Sequence, residues 1–140
     1  MLYLDTSVLV AATTNESRTT EVLAWLDLQN SEELSISDWV VTEFSSALSV
    51  KLRTKQIETA ERADALAAFA RLCADALAIL PVSRAQFRAA ARFADQHALG
   101  LRGSDALHLA ICGDQGATLC TLDQRFSKAA AAVGVSAQLI

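Results

Sequence analysis

The chain has 140 residues, 52% hydrophobic and 20% charged, which is enough for one domain with a real core and excludes general disorder. Five Gly and one Pro exclude collagen-like or Pro-rich architecture. Twelve basic against sixteen acidic residues leave a net charge of −4. That excludes a dedicated, strongly basic nucleic-acid binder, but not an enzyme that meets nucleic acid locally through a metal and a small basic rim.

Leu2-Tyr3-Leu4 reads as a short strand, ended by Asp5-Thr6-Ser7. A helix follows through Ala12, and another runs from about Ser17 to Gln29 with Val22, Leu23 and Leu26 on one face. Leu34 to Ser37 alternates with period two and fits a second strand. Asp38 suits the N-cap of a helix that continues to about Leu52. Glu58 to about Ala76 is alanine-rich and helical by propensity. Leu77 to Val82 is a third strand, and Arg84 to about Ala98 a further helix, punctuated afterwards by Gly100 and Gly103. Ser104 is read as the cap of an apolar helix from Asp105 to Cys112. Thr118 to Leu122 is a fourth strand, Gln124 to Ala132 a short helix, and Ser136 to Ile140 an edge strand. This alternation predicts a single α/β domain over residues 1–140. Its architecture is a three-layer α/β/α sandwich around a mostly parallel sheet of four or five strands.

The longest apolar runs, Val8 to Ala12 and Ala129 to Val133, are far too short to cross a bilayer. Asp5 interrupts any apolar start, so no signal peptide is expected and a cytoplasmic location is. Cys73, Cys112 and Cys120 form no C-x-x-C pair and read as buried thiols of a reducing compartment.

Ligands of an open parallel sheet bind beyond the carboxyl ends of its strands. Two predicted strands end in an aspartate, at Asp5 and Asp123. Glu43 sits on the helix after the second strand, on a face with Val40, Ala47 and Val50, and Asp105 opens a helix that is otherwise almost wholly apolar. Each acid has an ordinary explanation: a cap, a first-turn acid favoured by the helix dipole, a turn residue, or a side chain reaching solvent. Together they invite another, because carboxylates are rarely buried unless paired or metal-bound. Four acids converging at one sheet edge would hold a divalent cation. With no His or Cys among them, the set suits Mg²⁺ or Mn²⁺ and not zinc.

The segments Tyr3-Leu4-Asp5-Thr6-Ser7, Val41-Thr42-Glu43-Phe44, Gly103-Ser104-Asp105-Ala106-Leu107-His108-Leu109-Ala110 and Thr121-Leu122-Asp123-Gln124-Arg125-Phe126 resemble the PIN domain. In particular they resemble the VapC toxins of type II toxin–antitoxin pairs. The resemblance spans essentially the whole chain, with the motifs in family order. It implies a Mg²⁺- or Mn²⁺-dependent endoribonuclease in which Asp5, Glu43, Asp105 and Asp123 match the metal-binding acids. Thr6 and Thr121 match nearby hydroxyl positions, and Ser7 and Ser104 are weaker supporting candidates. In such an enzyme the metal neutralises the scissile phosphate and activates an attacking water. We take Asp5 and Asp105 as primary ligands, with Glu43 and Asp123 holding water or a second metal. The resemblance also implies a homodimer and a cognate VapB-like antitoxin.

Arg102 and Arg125 flank the acidic motifs and are the candidates for RNA phosphate contacts. Arg84, Arg88 and Arg92 form a stripe that reads as an ordinary solvated face. His108, one turn after Asp105, reads as a core histidine or a support for the acids, in preference to a general base. Trp25, Trp39 and Phe44 read as core, and Val22, Leu26, Trp39 and Leu48 as a possible interface face. The alternatives are a housekeeping RNA-processing nuclease of the same fold and a catalytically silent PIN-like binding module. A strand-end aspartyl phosphotransferase is disfavoured, because Asp5 is followed by Thr6-Ser7 and not by a second aspartate two positions on.

Overall fold

The computed structural model describes residues 1–140. Five strands, β1 (Leu2–Leu4), β2 (Leu34–Ser37), β3 (Ala78–Leu80), β4 (Thr118–Thr121) and β5 (Ala137–Leu139), alternate with helices. These are α1 (Thr6–Thr13), α2 (Thr19–Asp27), α3 (Asp38–Arg53), α4 (Thr59–Asp75), α5 (Arg84–Ala94), α6 (Gly103–Gln115) and α7 (Gln124–Ala132). The sheet order is β3-β2-β1-β4-β5, and every pairing is parallel. The α/β/α expectation therefore holds, with all five strands present and no antiparallel edge.

Parallel strands need helical crossovers, and those helices cover the sheet. That explains a departure in β2. Its Leu-Ser-Ile-Ser alternation suggests one wet face, yet all four residues are buried. The two serines satisfy themselves inside the core: Ser35 Oγ donates to the Leu2 carbonyl at 3.0 Å, and Ser37 Oγ lies 2.7 Å from the Tyr3 hydroxyl. Asp38 is the first residue of α3 and not its cap, and Ser37 occupies the cap position with its hydroxyl committed to Tyr3. Ser83 and Gln86 form a capping box that starts α5, with bonds of 3.2 and 2.7 Å. Gly116, at φ 62°, ends α6 in the left-handed conformation.

Helix α1 packs against α2, α3 and α4, while α5 pairs with α6. The buried stripe of α3 is Val40, Phe44 and Leu48, and Phe44 stacks on Phe69 of α4 with ring centroids 4.1 Å apart. Val50 is exposed and lies off that stripe, contrary to the sequence reading. Val22 and Leu48 are fully buried, so neither is available to a partner. Trp25, Leu26 and Trp39 are partly buried against the core. Cys112 and Cys120 are buried free thiols, whereas Cys73 is only partly covered. Arg84, Arg88 and Arg92 all face solvent, as the stripe suggested. No helix is long and apolar enough to cross a membrane.

Candidate active site

Strand order reverses between β1 and β4, and the crevice beyond their carboxyl ends is where an open α/β sheet takes a ligand. Asp5 follows β1 and is tied to β4 by its backbone N–H, which donates to the Cys120 carbonyl at 3.1 Å. Asp123 follows β4 by two residues, Glu43 stands in the second turn of α3, and Asp105 stands in the first turn of α6. All four line one cavity of about 350 Å³, together with Thr6, Ser7, Ser104, Arg102 and His108. The carboxylates are layered by depth. Asp5 forms the floor at 6% exposure, Glu43 and Asp105 are half-buried, and Asp123 is exposed at the rim.

The cap explanation and the site explanation hold at once. Asp5 Oδ1 accepts the Val8 N–H at 3.2 Å and so caps α1, while Asp123 Oδ1 accepts the Arg125 and Phe126 N–H groups at 2.7 and 3.1 Å and so caps α7. Asp105 Oδ2 accepts the Arg102 N–H at 3.2 Å. Ser104 is not the cap of α6; Arg102 holds that position, and Asp105 reaches back to its backbone. Ser104 instead lines the cavity beside Glu43.

The hydroxyls organise the acids. Ser7 Oγ accepts the Leu122 N–H at 3.2 Å and donates to Asp5 Oδ1 at 2.5 Å. Thr121 Oγ1 accepts the Asp123 N–H at 3.0 Å and donates to Asp5 Oδ2 at 2.6 Å. Thr6 Oγ1 donates to Glu43 Oε2 at 2.7 Å. Burial raises the Asp5 carboxyl above its ordinary pKa, and the bonds from Ser7 and Thr121 only partly offset this. Burial also acts to raise Glu43, but the hydrogen bond and charge of His108, with the hydroxyls of Thr6 and Ser104, outweigh it and hold Glu43 below the ordinary value.

A network under the floor bears out His108 as a support for the acids and adds Tyr3 and Ser37, to which the sequence analysis gave no such role. His108 Nε2 lies 2.7 Å from Glu43 Oε2, and its Nδ1 lies 2.9 Å from the Tyr3 hydroxyl, which in turn meets Ser37. His108 is 3% exposed and touches Glu43 directly, so it supports an acid from within the core. A tyrosine in an aliphatic central strand is the one available signal, because its buried hydroxyl needs a partner.

Arg102 and Arg125 line a neighbouring cavity of about 290 Å³ that shares Asp105 and Asp123 with the main one. Neither arginine makes a salt bridge, whereas Lys51 is paired with Glu16 at 2.6 Å. A further open groove of about 630 Å³ shares Thr6, Ser7 and Asp123 with the main cavity and is also lined by Arg18.

The donor set is all oxygen, which fits a hard dication. Asp5 adds a buried carboxylate with no cationic side chain within salt-bridge distance. The carboxylates nevertheless do not form a closed cluster, since no three His, Cys, Asp or Glu side chains are placed to hold one ion together. Such a site suits an ion bound by one or two carboxylates directly and by the others through water, which is the habit of Mg²⁺.

No curated protein matches the chain by sequence. Solved structures do match it in fold. FitAcB from Neisseria gonorrhoeae superposes with a TM-score of 0.70 at 22% identity, over 98% of this chain and 96% of that one. VapC20 from Mycobacterium tuberculosis, a sarcin-ricin loop cleaving toxin, gives 0.73 at 18% identity over 92% and 95%. VapBC2 from Rickettsia felis, bound to a DNA fragment from its promoter, gives 0.67 at 21% identity over 99% and 98%. The family model of the PIN domain matches residues 2–132. With that match across nearly its full length, the chain belongs to the PIN domain family.

Proposed function

We propose that the protein is a metal-dependent endoribonuclease that hydrolyses RNA phosphodiester bonds as the VapC-like toxin of a toxin–antitoxin pair. The observation that carries this reading is the convergence of Asp5, Glu43, Asp105 and Asp123, from four separate segments, on one cavity at the switch point of the sheet. Asp5 and Asp105 are the primary holders of a Mg²⁺ or Mn²⁺ ion, with Glu43 and Asp123 acting on its waters or on a second ion. Such an ion supplies charge neutralisation at the phosphate and a water of lowered pKa. The chain's own residues do the rest. Ser7 and Thr121 fix both oxygens of Asp5, Thr6 and His108 fix Glu43, and Arg102 and Arg125 offer unpaired charge to the RNA backbone beside the acids. A cognate antitoxin, which the likeness to VapBC2 and FitAcB supports, and a second copy of the chain are the proposed partners.

The spread of the carboxylates favours one alternative, a PIN fold whose acids bind no cation and which acts only by binding. One experiment separates them. Wild type and Asp5→Asn are expressed from an inducible promoter, and new RNA 5′ ends are mapped. Discrete ends and growth arrest with wild type alone are the expected result, and identical RNA profiles for the two would refute the nuclease assignment.

A further inference from the structure

Glu43 uses its two carboxylate oxygens unequally. Two close hydrogen bonds, from Thr6 Oγ1 and with His108 Nε2, end on Oε2 at 2.7 Å, and no bond of that length ends on Oε1, while the Ser104 hydroxyl stands beside the carboxylate. The His108 ring is gripped at its far end by the Tyr3 hydroxyl, 2.9 Å from Nδ1, and that hydroxyl is held at 2.7 Å by Ser37. Tyr3 and Ser37 are fully buried, and His108 is 3% exposed. The row therefore runs from β2 through β1 and α6 to α3 without passing through solvent. A tyrosine hydroxyl can donate to Nδ1 or accept from it. Where it donates to Nδ1, the neutral ring carries its proton on Nε2 and donates it to the Glu43 carboxylate.

From this geometry we infer that Tyr3 and His108 are positioning residues for Glu43. They pin Oε2, fix the plane of the carboxylate, and leave Oε1, which neither of them holds, as the oxygen to meet a cation or its water. The inference rests on Glu43 belonging to the proposed catalytic site, and it adds a floor that the acids alone do not specify. Loss of a partner that orients a metal ligand typically weakens metal affinity or activity about 10- to 100-fold. His108→Leu removes the donor. His108→Gln keeps an amide N–H able to take the place of Nε2. Tyr3→Phe leaves the donor in place but frees the ring at its far end.

The test titrates each purified variant with Mn²⁺ by calorimetry and measures kcat and KM on an RNA substrate, with melting curves to confirm folding. His108→Leu is expected to lose about 10- to 100-fold in Mn²⁺ affinity and to fall in kcat with KM for RNA unchanged. Gln should restore most of the affinity, and Tyr3→Phe should fall between. If the Leu variant does not fold, the Gln and Phe variants still decide: affinity that ranks Phe level with wild type overturns the role of Tyr3. A readout without metal completes the set. Long-range ¹H–¹⁵N spectra of the metal-free protein should show a protonated Nε2 at His108, and a bare Nε2 overturns the inference. Wild type that neither binds Mn²⁺ nor cleaves RNA refutes the nuclease reading itself. An active wild type matched by His108→Leu refutes only the positioning role.

Discussion

Thr121→Val deletes one hydroxyl that two acids share. Thr121 is fully buried, and valine copies its shape, so packing is kept and the hydrogen bonds are removed. The first loss is the 2.6 Å bond to Asp5 Oδ2, a bond to a charged group worth about 1.5–3 kcal/mol. The second is the partner of the Asp123 N–H, held at 3.0 Å, and an orphaned buried donor costs about 1–3 kcal/mol. Because Asp123 lies at the rim, water recovers part of the second loss, and we take ~3 kcal/mol as the total. A chain of 140 residues unfolds with an entropy of roughly 0.3 kcal/mol/K, so the melting temperature should drop by ~10 °C. The Asp5 pKa should rise further, because one of the bonds holding it down is gone. Thermal unfolding of wild type, Thr121→Val and Thr121→Ser in chelator measures this. Serine should recover most of the drop. A valine variant melting within a degree or two of wild type would show that this hydroxyl does not organise the two acids.

Asp5→Asn should abolish cleavage and yet stabilise the metal-free fold at neutral pH. The folded Asp5 pKa lies above the unfolded one, so the folded state binds the proton more tightly. Its contribution to stability is full below the unfolded value and is lost as pH rises through the folded value. The melting temperature of wild type should therefore fall relative to Asp5→Asn as acid gives way to neutral pH, and a constant difference would refute the sign. Added Mn²⁺ should raise the wild-type melting temperature, by about 2.7 kcal/mol of stability at a hundred times the Kd. The shift should vanish with chelator and shrink in acid, where the Asp5 proton competes; a melting curve indifferent to Mn²⁺ counts against any cation site. Replacing Arg102 or Arg125 by Ala should weaken RNA binding and flatten the slope of log affinity against log salt by about 0.7 for each phosphate that no longer meets a guanidinium. A slope equal to wild type would remove that arginine from the RNA path.

Much of the architecture was legible because the signals are local. Short apolar strands alternate with helices, and Asp5, Asp105 and Asp123 sit at element boundaries where a sheet edge collects them, with Glu43 one turn into α3. The errors share a cause. Reading Ser104 or Asp38 as a cap relies on nearest neighbours, whereas Ser104 answers to the cavity and the cap position before α3 belongs to Ser37, whose hydroxyl answers to distant Tyr3. The Tyr3–Ser37 and Tyr3–His108 bonds join residues 34 and 105 positions apart. Nothing in either segment names the other. The layering of the acids was equally invisible, since depth depends on how far each helix end stands above the sheet. Thr6 and Thr121 were legible as neighbours of acids, but which acid each serves, Glu43 for one and Asp5 for the other, emerges only from the packing.

The two outermost strands have a bearing on how this chain can meet another. β3 and β5 span three residues each, and Pro81, directly after β3, has no N–H to donate. A visiting strand would find only a handful of main-chain groups on either flank, too few to template its addition. The helix surfaces, where side-chain identity decides the match, are therefore the faces this molecule leaves to a partner.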